Sequence, residues 1–302
     1  MTYLVVIPAY NAAATIADVL GRLDGHRDHT VVVDDGSTDA TPEIVRRLGG
    51  ELLGHERNRG VGAALRTGIR YARALGFDQV VTLDADGQHD PRQVDEFLHS
   101  MRDNDLVVGS RFLQEADGLL DAKVAPNLLA ALIVNQAFGV RLTDVACGFR
   151  AFRRPDPMPR RVDGWGFLYE HLIGNLADGR RVATVPVPPV YRPSTLWASR
   201  ALEIEGFLAA MVRHAPDGHV AADVGRAHRA VGRRQNFMYE VCGQVFHCFY
   251  VGAEDCYLVQ TDLKAARALL SELRRAPRHP ERRGDDGAAH GSIPAAGPST
   301  PE

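Results

Sequence analysis

The chain has 302 residues, 45% hydrophobic, 7% aromatic and 24% charged, which suits a globular catalytic domain with an appendage. Its formal net charge of -3 supplies no basic field for gripping nucleic acid by its phosphates, so nucleic acid is set aside as a partner. No stretch approaches the roughly 20 apolar residues a membrane-spanning helix needs. The start, MTYLVVIPAYNAA, also lacks a basic segment followed by a long apolar run, so the expected compartment is the cytoplasm.

Residues 3 to 8, 30 to 33, 78 to 83 and 105 to 109 are short, Val-rich and apolar on both parities, as strands buried on both faces must be. Between them lie helical stretches over 12 to 23, 42 to 48, 61 to 75 and 91 to 102; Thr41-Pro42 and Asp90-Pro91 open the second and fourth as cap followed by first-turn proline. This alternation predicts an α/β domain wound around a mostly parallel central sheet flanked by helices.

Ligands of such sheets bind beyond the carboxyl ends of the strands, so the residues after each strand carry the chemistry. After the first comes Pro8-Ala9-Tyr10-Asn11, a rigid turn presenting an aromatic and an amide, although the same residues serve as a turn and helix cap. After the second comes Asp34-Asp35-Gly36-Ser37-Thr38-Asp39, where Asp39 suits a turn and Asp34 and Asp35 are placed to accept hydrogen bonds from a base or ribose. After the third strand comes Asp84-Ala85-Asp86-Gly87-Gln88-His89-Asp90. Strand geometry would point Asp84 and Asp86 to one side, where two carboxylates suit Mg²⁺ or Mn²⁺ completed by diphosphate oxygens.

In order, VVIPAYNAAATI, VVVDDGSTDAT, RNRGVGAALRTGI, VTLDADGQHDP, VVGSRF and LTDVACGFRAFRR resemble the family-2 glycosyltransferases of GT-A fold. Within that family the likeness is to the dolichyl-phosphate mannose and polyprenyl-phosphate glucose synthase branch, over roughly residues 3 to 193. The resemblance implies that Tyr10 stacks near the base, that Asp35 contacts it, that Asp84 and Asp86 hold the metal, and that Gln88 and Arg111 lie near metal and phosphates. The expected reaction is transfer of a sugar, with inversion, from a UDP- or GDP-linked donor to a polyprenyl phosphate or a small molecule.

Arg57 and Arg59, with the backbone up to Gly62, form a basic loop at a helix start that can approach a diphosphate. Gly60-Val61-Gly62 lacks the third glycine of a dinucleotide loop and does not follow the first strand, which excludes a dehydrogenase.

On the acceptor side Asp144 is the first candidate for a general base and Glu170 the second, if the acceptor is a hydroxyl; a phosphate acceptor is already anionic, and Asp144 then positions the site or caps a turn. Trp165 and Arg192 are placed on the same side, Trp165 also suiting a core anchor, and Arg192 on a loop after a proline-rich edge strand beginning near 182.

The domain boundaries expected are 1 to 215 for the GT-A domain, 216 to 275 for an appendage serving the acceptor or dimerisation, and 276 to 302 for a disordered Pro- and Gly-rich tail. Residues 201 to 215 read as an amphipathic helix that packs on the domain or touches a membrane peripherally. Cys147, Cys242, Cys248 and Cys256 form no disulfide or CxxC pattern and are read as buried thiols.

Two other classes are weighed. A sugar-nucleotide pyrophosphorylase would need a Gly-rich basic loop where PAYNAAAT stands, and a non-catalytic nucleotide-sugar-binding module would have no need of Asp86, Asp144 and Glu170 together.

Overall fold

The structure, a computed structural model, describes residues 1–113, 121–153, 162, 164, 166–188, 199–216, 218–252 and 255–275. Trp165, Arg192 and the tail from 276 onward lie outside the described residues.

Strand β1 (Tyr3–Ala9) is followed by α1 (Ile16–Gly21), β2 (Thr30–Asp34), α2 (Thr41–Arg47) and β3 (Glu51–Gly54). Then come α3 (Val61–Ala74), β4 (Gln79–Thr82), α4 (Val94–Ser100), β5 (Leu106–Ser110) and α5 (Asp121–Phe138). The sheet is completed by β6 (Arg150–Arg153) and, after α6 (Gly166–Ala177), by β7 (Val182–Pro186).

These seven strands stand in the order β3-β2-β1-β4-β6-β5-β7. All neighbours pair in parallel except β6, which runs antiparallel to both β4 and β5. The expected mostly parallel α/β sheet is present, with the proline-bearing β7 at its edge. Its central strands are buried at every position of β2, β4 and β5, which is why their sequences are continuous Val runs rather than alternating ones.

Three elements differ from the sequence reading. The stretch 91 to 102 is a 3-10 turn, Pro91–Gln93, followed by α4, because Asp90 caps Pro91 and accepts from the Arg92 amide at 3.2 Å. The strand β3 stands at 51–54, where the sequence reading placed none. The strand β6 reads RAFR, and its buried Arg150 donates to the carbonyls of Cys147 (2.8 Å), Leu168 (2.6 Å) and Val145 (3.2 Å), so a charged residue occupies a core position with its donors satisfied.

The C-terminal part contains β8 (Ser199–Arg200), α7 (Ala201–His214), α8 (His219–Gly232), β9 (Phe237–Val241), β10 (Gln244–Val251), β11 (Cys256–Gln260) and α9 (Leu263–Arg275). Its four strands form an antiparallel sheet, β8-β11-β10-β9. Along β10 burial alternates, Phe246 and Cys248 facing in while Val245 and Phe249 face out. Cys242 and Gly243 both take left-handed backbone, φ 52° and 71°, which closes the β9–β10 hairpin in two residues. Cys242 is therefore exposed, a correction to the buried-thiol reading; Cys147, Cys248 and Cys256 are buried.

The hydrophobic core is continuous from Val5 and Val32 of the large sheet through Phe207 of α7 to Val224, Phe246 and Tyr257. No helix among the described residues is long and apolar enough to cross a membrane.

Candidate active site

The strand order reverses at β1, whose neighbours are β2 on one side and β4 on the other. The crevice beyond the carboxyl ends of β1 and β4 is therefore the switch point where an open α/β sheet binds ligands. The PAYN and DADG loops flank it.

The first two loops interlock. Asn11 adopts φ 50°, and its side-chain oxygen accepts from the Thr38 amide at 2.8 Å while its own amide donates to Ser37 Oγ at 2.9 Å. Asp39 accepts from the amides of Ala13 and Thr41, each at 3.0 Å, the turn role expected of it. This bracing leaves the Tyr10 ring outside, 48% exposed, as a flat apolar face beside the crevice. Pro8 and Ala9 lie inside the strand, and the Ala9 carbonyl accepts the Asp35 amide at 2.8 Å.

Asp35 is only 3% exposed. Its Oδ1 pairs with His55 Nδ1 at 2.6 Å and accepts the Arg59 amide at 3.0 Å, while Oδ2 accepts the Gly60 amide at 2.7 Å. The carboxylate thus ties the start of α3 to the end of β2, where the N-terminal amides favour an anion. It also takes the very amides that the sequence reading offered to a diphosphate. Arg57 and Arg59 project as exposed side chains, and Gly62 is buried in the first turn of α3. Gly36, at φ 72°, lies under this loop: a Cβ there would meet the Arg57 Cα at 2.6 Å.

Asp84 and Asp86 lie in a turn beyond β4 rather than on the strand, so their relation is set by the turn at Gly87 (φ 71°) and not by strand alternation. The turn is held from below by Thr15 Oγ1 donating to the Ala85 carbonyl at 2.7 Å. Asp86 is exposed and accepts the Gln88 amide at 2.9 Å.

Asp84 is half-buried, and burial raises its carboxyl pKa to about 6 against the opposing pull of Arg111 and Arg150. No side-chain or backbone donor among the described residues hydrogen-bonds its oxygens; His89 Nδ1 stands 3.7 Å from Oδ2. That Nδ1 accepts the Asp84 amide at 3.4 Å, and burial lowers the His89 pKa, so the ring is neutral and gives the carboxylate no cation. Gly148 lies against the carboxylate so closely that a Cβ would stand 2.5 Å from Oδ2. An enclosed carboxylate with unfilled lone pairs beside an exposed second carboxylate fits a divalent cation whose remaining ligands come from a diphosphate. Among the described residues no three His, Cys, Asp or Glu side chains gather into a complete metal cage.

Arg111, just past β5, is clamped by Asp144: Nε to Oδ2 at 2.7 Å, Nη2 to Oδ1 at 3.0 Å and the Arg111 amide to Oδ2 at 3.2 Å. Asp144 is 0% exposed at its side chain against 22% for Arg111, and also accepts the Ala146 amide at 3.0 Å. Both oxygens are engaged, the arrangement expected of the positioning role that the sequence offers Asp144 as the alternative to a base. Glu170, the second candidate base, is also engaged. Its carboxylate, on α6, pairs with Arg213 and with His214 Nε2 (2.8 Å) on α7.

The sequence reading missed His55, Gly148 and Thr15. Their signals were local only in part: His55 directly follows β3 and Gly148 sits in the CGFR motif, while Thr15 pairs with a carbonyl 70 residues away.

Residues 4–156 match the family model described as Glycosyl transferase family 2. The chain is 30% identical over 207 residues to an undecaprenyl-phosphate mannosyltransferase of Micrococcus luteus, covering 64% of this chain and 85% of that protein. It is 34% identical over 212 residues to a UDP-N-acetylglucosamine–dolichyl-phosphate N-acetylglucosaminyltransferase of Methanococcus voltae, covering 62% and 84%. Among solved structures, glucosyl-3-phosphoglycerate synthase of Mycobacterium tuberculosis in complex with UDP aligns with TM-score 0.56 and 23% identity, over 72% of this chain and 82% of that one. The same enzyme with Mn²⁺ and UDP-glucose aligns with TM-score 0.57 and 20% identity over 86% of each. At that identity the likeness speaks for the GT-A fold alone. The chain belongs to glycosyl transferase family 2, as an enzyme of GT-A fold with polyprenyl-phosphate sugar transferases among its relatives.

Proposed function

We propose that the protein moves a sugar, with inversion, from a nucleoside diphosphate to a polyprenyl phosphate, using Mg²⁺ or Mn²⁺ held by Asp84 and Asp86. The observation that carries the choice of acceptor is the state of the two acceptor-side carboxylates. Asp144 is closed by Arg111, and Glu170 by Arg213 and His214. A hydroxyl acceptor needs a base, whereas a phosphate arrives with its nucleophile ionised. The polyprenyl-phosphate transferases among the relatives support the same choice.

In the reaction a phosphate oxygen of the acceptor attacks the anomeric carbon as the bond from that carbon to the diphosphate breaks. The electron pair leaves with the diphosphate, and the configuration inverts. Tyr10 offers its exposed face to the base, and Arg111 supplies a fixed positive charge toward the phosphates. Because Asp144 has already oriented that guanidinium, little reorganisation is needed when charge builds on the leaving group. A bound divalent cation would neutralise the same charge. The exposed side chains of Arg57 and Arg59 stand at the rim, and Gln88 is braced against Asp86 through its amide. The site works where a lipid phosphate is presented, at the cytoplasmic face of a membrane.

The test is transfer of labelled sugar from UDP- and GDP-sugars to a polyprenyl phosphate and, in parallel, to the same polyprenol without its phosphate. Transfer to the phosphate alone is expected. Equal transfer to the free alcohol would require a base that this reading does not supply, and would overturn it.

A further inference from the structure

The helix α9 lies beyond the residues 4–156 that the family model matches, yet it reaches the segment that carries Arg111. Leu270 of α9 is buried against Phe112, and the two form a small apolar cluster apart from the main core. Four residues on, in the last turn of α9, Arg274 Nε donates to the Phe112 carbonyl at 2.7 Å. Leu270 and Arg274 stand one helical turn apart, so one face of α9 grips Phe112 by its ring and by its backbone.

Phe112 in turn bears on Arg111. The Arg111 Cζ lies 5.7 Å from the Phe112 ring centroid, within the range of a cation–π contact. The Phe112 amide donates to Ser110 Oγ at 3.3 Å, and Ser110 Oγ bonds Thr143 Oγ1 at 2.6 Å, next to Asp144. The guanidinium is therefore held from two sides, by Asp144 in the loop before β6 and by Phe112, which α9 of the C-terminal part grips in turn.

We propose that α9 is a latch on the phosphate-facing arginine, with Leu270 and Arg274 as positioning residues that act on Arg111 through Phe112. This rests on the reading that Arg111 faces the diphosphate. It gives the C-terminal part a role in donor binding that neither an acceptor site nor a dimer contact would have. Arg274 holds the Phe112 carbonyl from the end of a surface helix, so its truncation removes that grip and leaves the core intact. The loosened Phe112 lets the Arg111 side chain sample more rotamers, and binding must then bear their ordering cost.

The test uses the full chain and calorimetric titration with UDP and with GDP, each with Mn²⁺, taking whichever binds more tightly. Arg274→Ala is expected to weaken binding about 5- to 10-fold, equivalent to about 1 to 1.4 kcal/mol. Arg274→Lys, which can still donate to the carbonyl, recovers part of the loss. Arg111→Ala weakens binding further, and adding Arg274→Ala to it costs nothing more, because the latch then has no arginine to hold. Leu270→Ala is expected to resemble Arg274→Ala; if it fails to fold, the Arg274 and Arg111 cycle still decides. Unchanged affinity in Arg274→Ala, or losses that add in the double variant, would overturn the latch while leaving the function standing. Unchanged affinity in Arg111→Ala would overturn the diphosphate role of that arginine and the latch with it.

Discussion

Asp144→Asn separates an anchor from a base. The substitution keeps the shape of the side chain and one carbonyl oxygen but removes the charge facing Arg111, which now makes two side-chain bonds to it at 2.7 and 3.0 Å. Removing one partner of a buried ion pair costs about 3–5 kcal/mol when the survivor is sealed from water. Here the survivor is 22% exposed and can turn toward solvent, and the asparagine oxygen can still accept one bond, so about 2 kcal/mol is the expected loss. For a domain of this size that lowers the melting temperature by about 4–8 °C. Nucleoside-diphosphate affinity should fall with it, because Arg111 is no longer held in place. Thermal unfolding, with calorimetric titration of UDP or GDP in Mn²⁺, reads both effects. An unchanged melting temperature and unchanged nucleotide affinity, combined with loss of turnover, would mean that Asp144 acts on a proton and that the anchoring argument is wrong.

Gly148→Ala places a Cβ 2.5 Å from Asp84 Oδ2, against the movable end of a side chain rather than backbone. It is expected to weaken Mn²⁺-dependent nucleotide binding at least about 10-fold at a stability cost of about 1 kcal/mol or less, with wild-type metal affinity as the contrary result. Gly36→Ala meets backbone, the Arg57 Cα at 2.6 Å, and must also hold φ 72°, so a loss above about 2 kcal/mol is expected in denaturant melts. The raised pKa of Asp84, due first to burial, gives two opposite pH trends. Without metal, a carboxyl whose folded pKa exceeds its unfolded value contributes stability at low pH that is lost as pH rises through about 6. Mn²⁺ affinity, measured across the same window, should instead rise as the carboxylate forms. If both trends ran in the same direction, Asp84 would not be the group responsible.

The central strands were legible because burial on both faces leaves one sequence solution, the Val runs of β1, β2, β4 and β5. The loops bearing Tyr10, Asp35 and Asp84 were legible for a related reason, since polar residues directly after such strands gather at one end of a parallel sheet. The strand β6 was not, because RAFR looks like a surface segment until Arg150 is seen with its donors spent on carbonyls. Carboxylate roles were the least legible feature. Asp144 and Glu170 each look like a base when their partners are unknown, and those partners lie 33 and 43 residues away in sequence. Asp35 shows the same limit: its motif marks a site, but only the fold reveals that the amides of Arg59 and Gly60 take up the carboxylate. The contact between α9 and Phe112 spans 162 residues and follows no pattern that composition or periodicity could reveal.

The central claim is that Asp84 and Asp86 hold a divalent cation for a nucleoside-diphosphate sugar. Its most direct test is binding and slow hydrolysis of UDP- and GDP-sugars with Mn²⁺, with Mg²⁺ and with EDTA, comparing the native chain with Asp86→Ala. The account predicts a signal for one donor base that needs the metal and is lost in the variant. Binding that is indifferent to EDTA and to Asp86→Ala would contradict the metal site, and no binding of either nucleotide sugar under any metal condition would contradict the function itself.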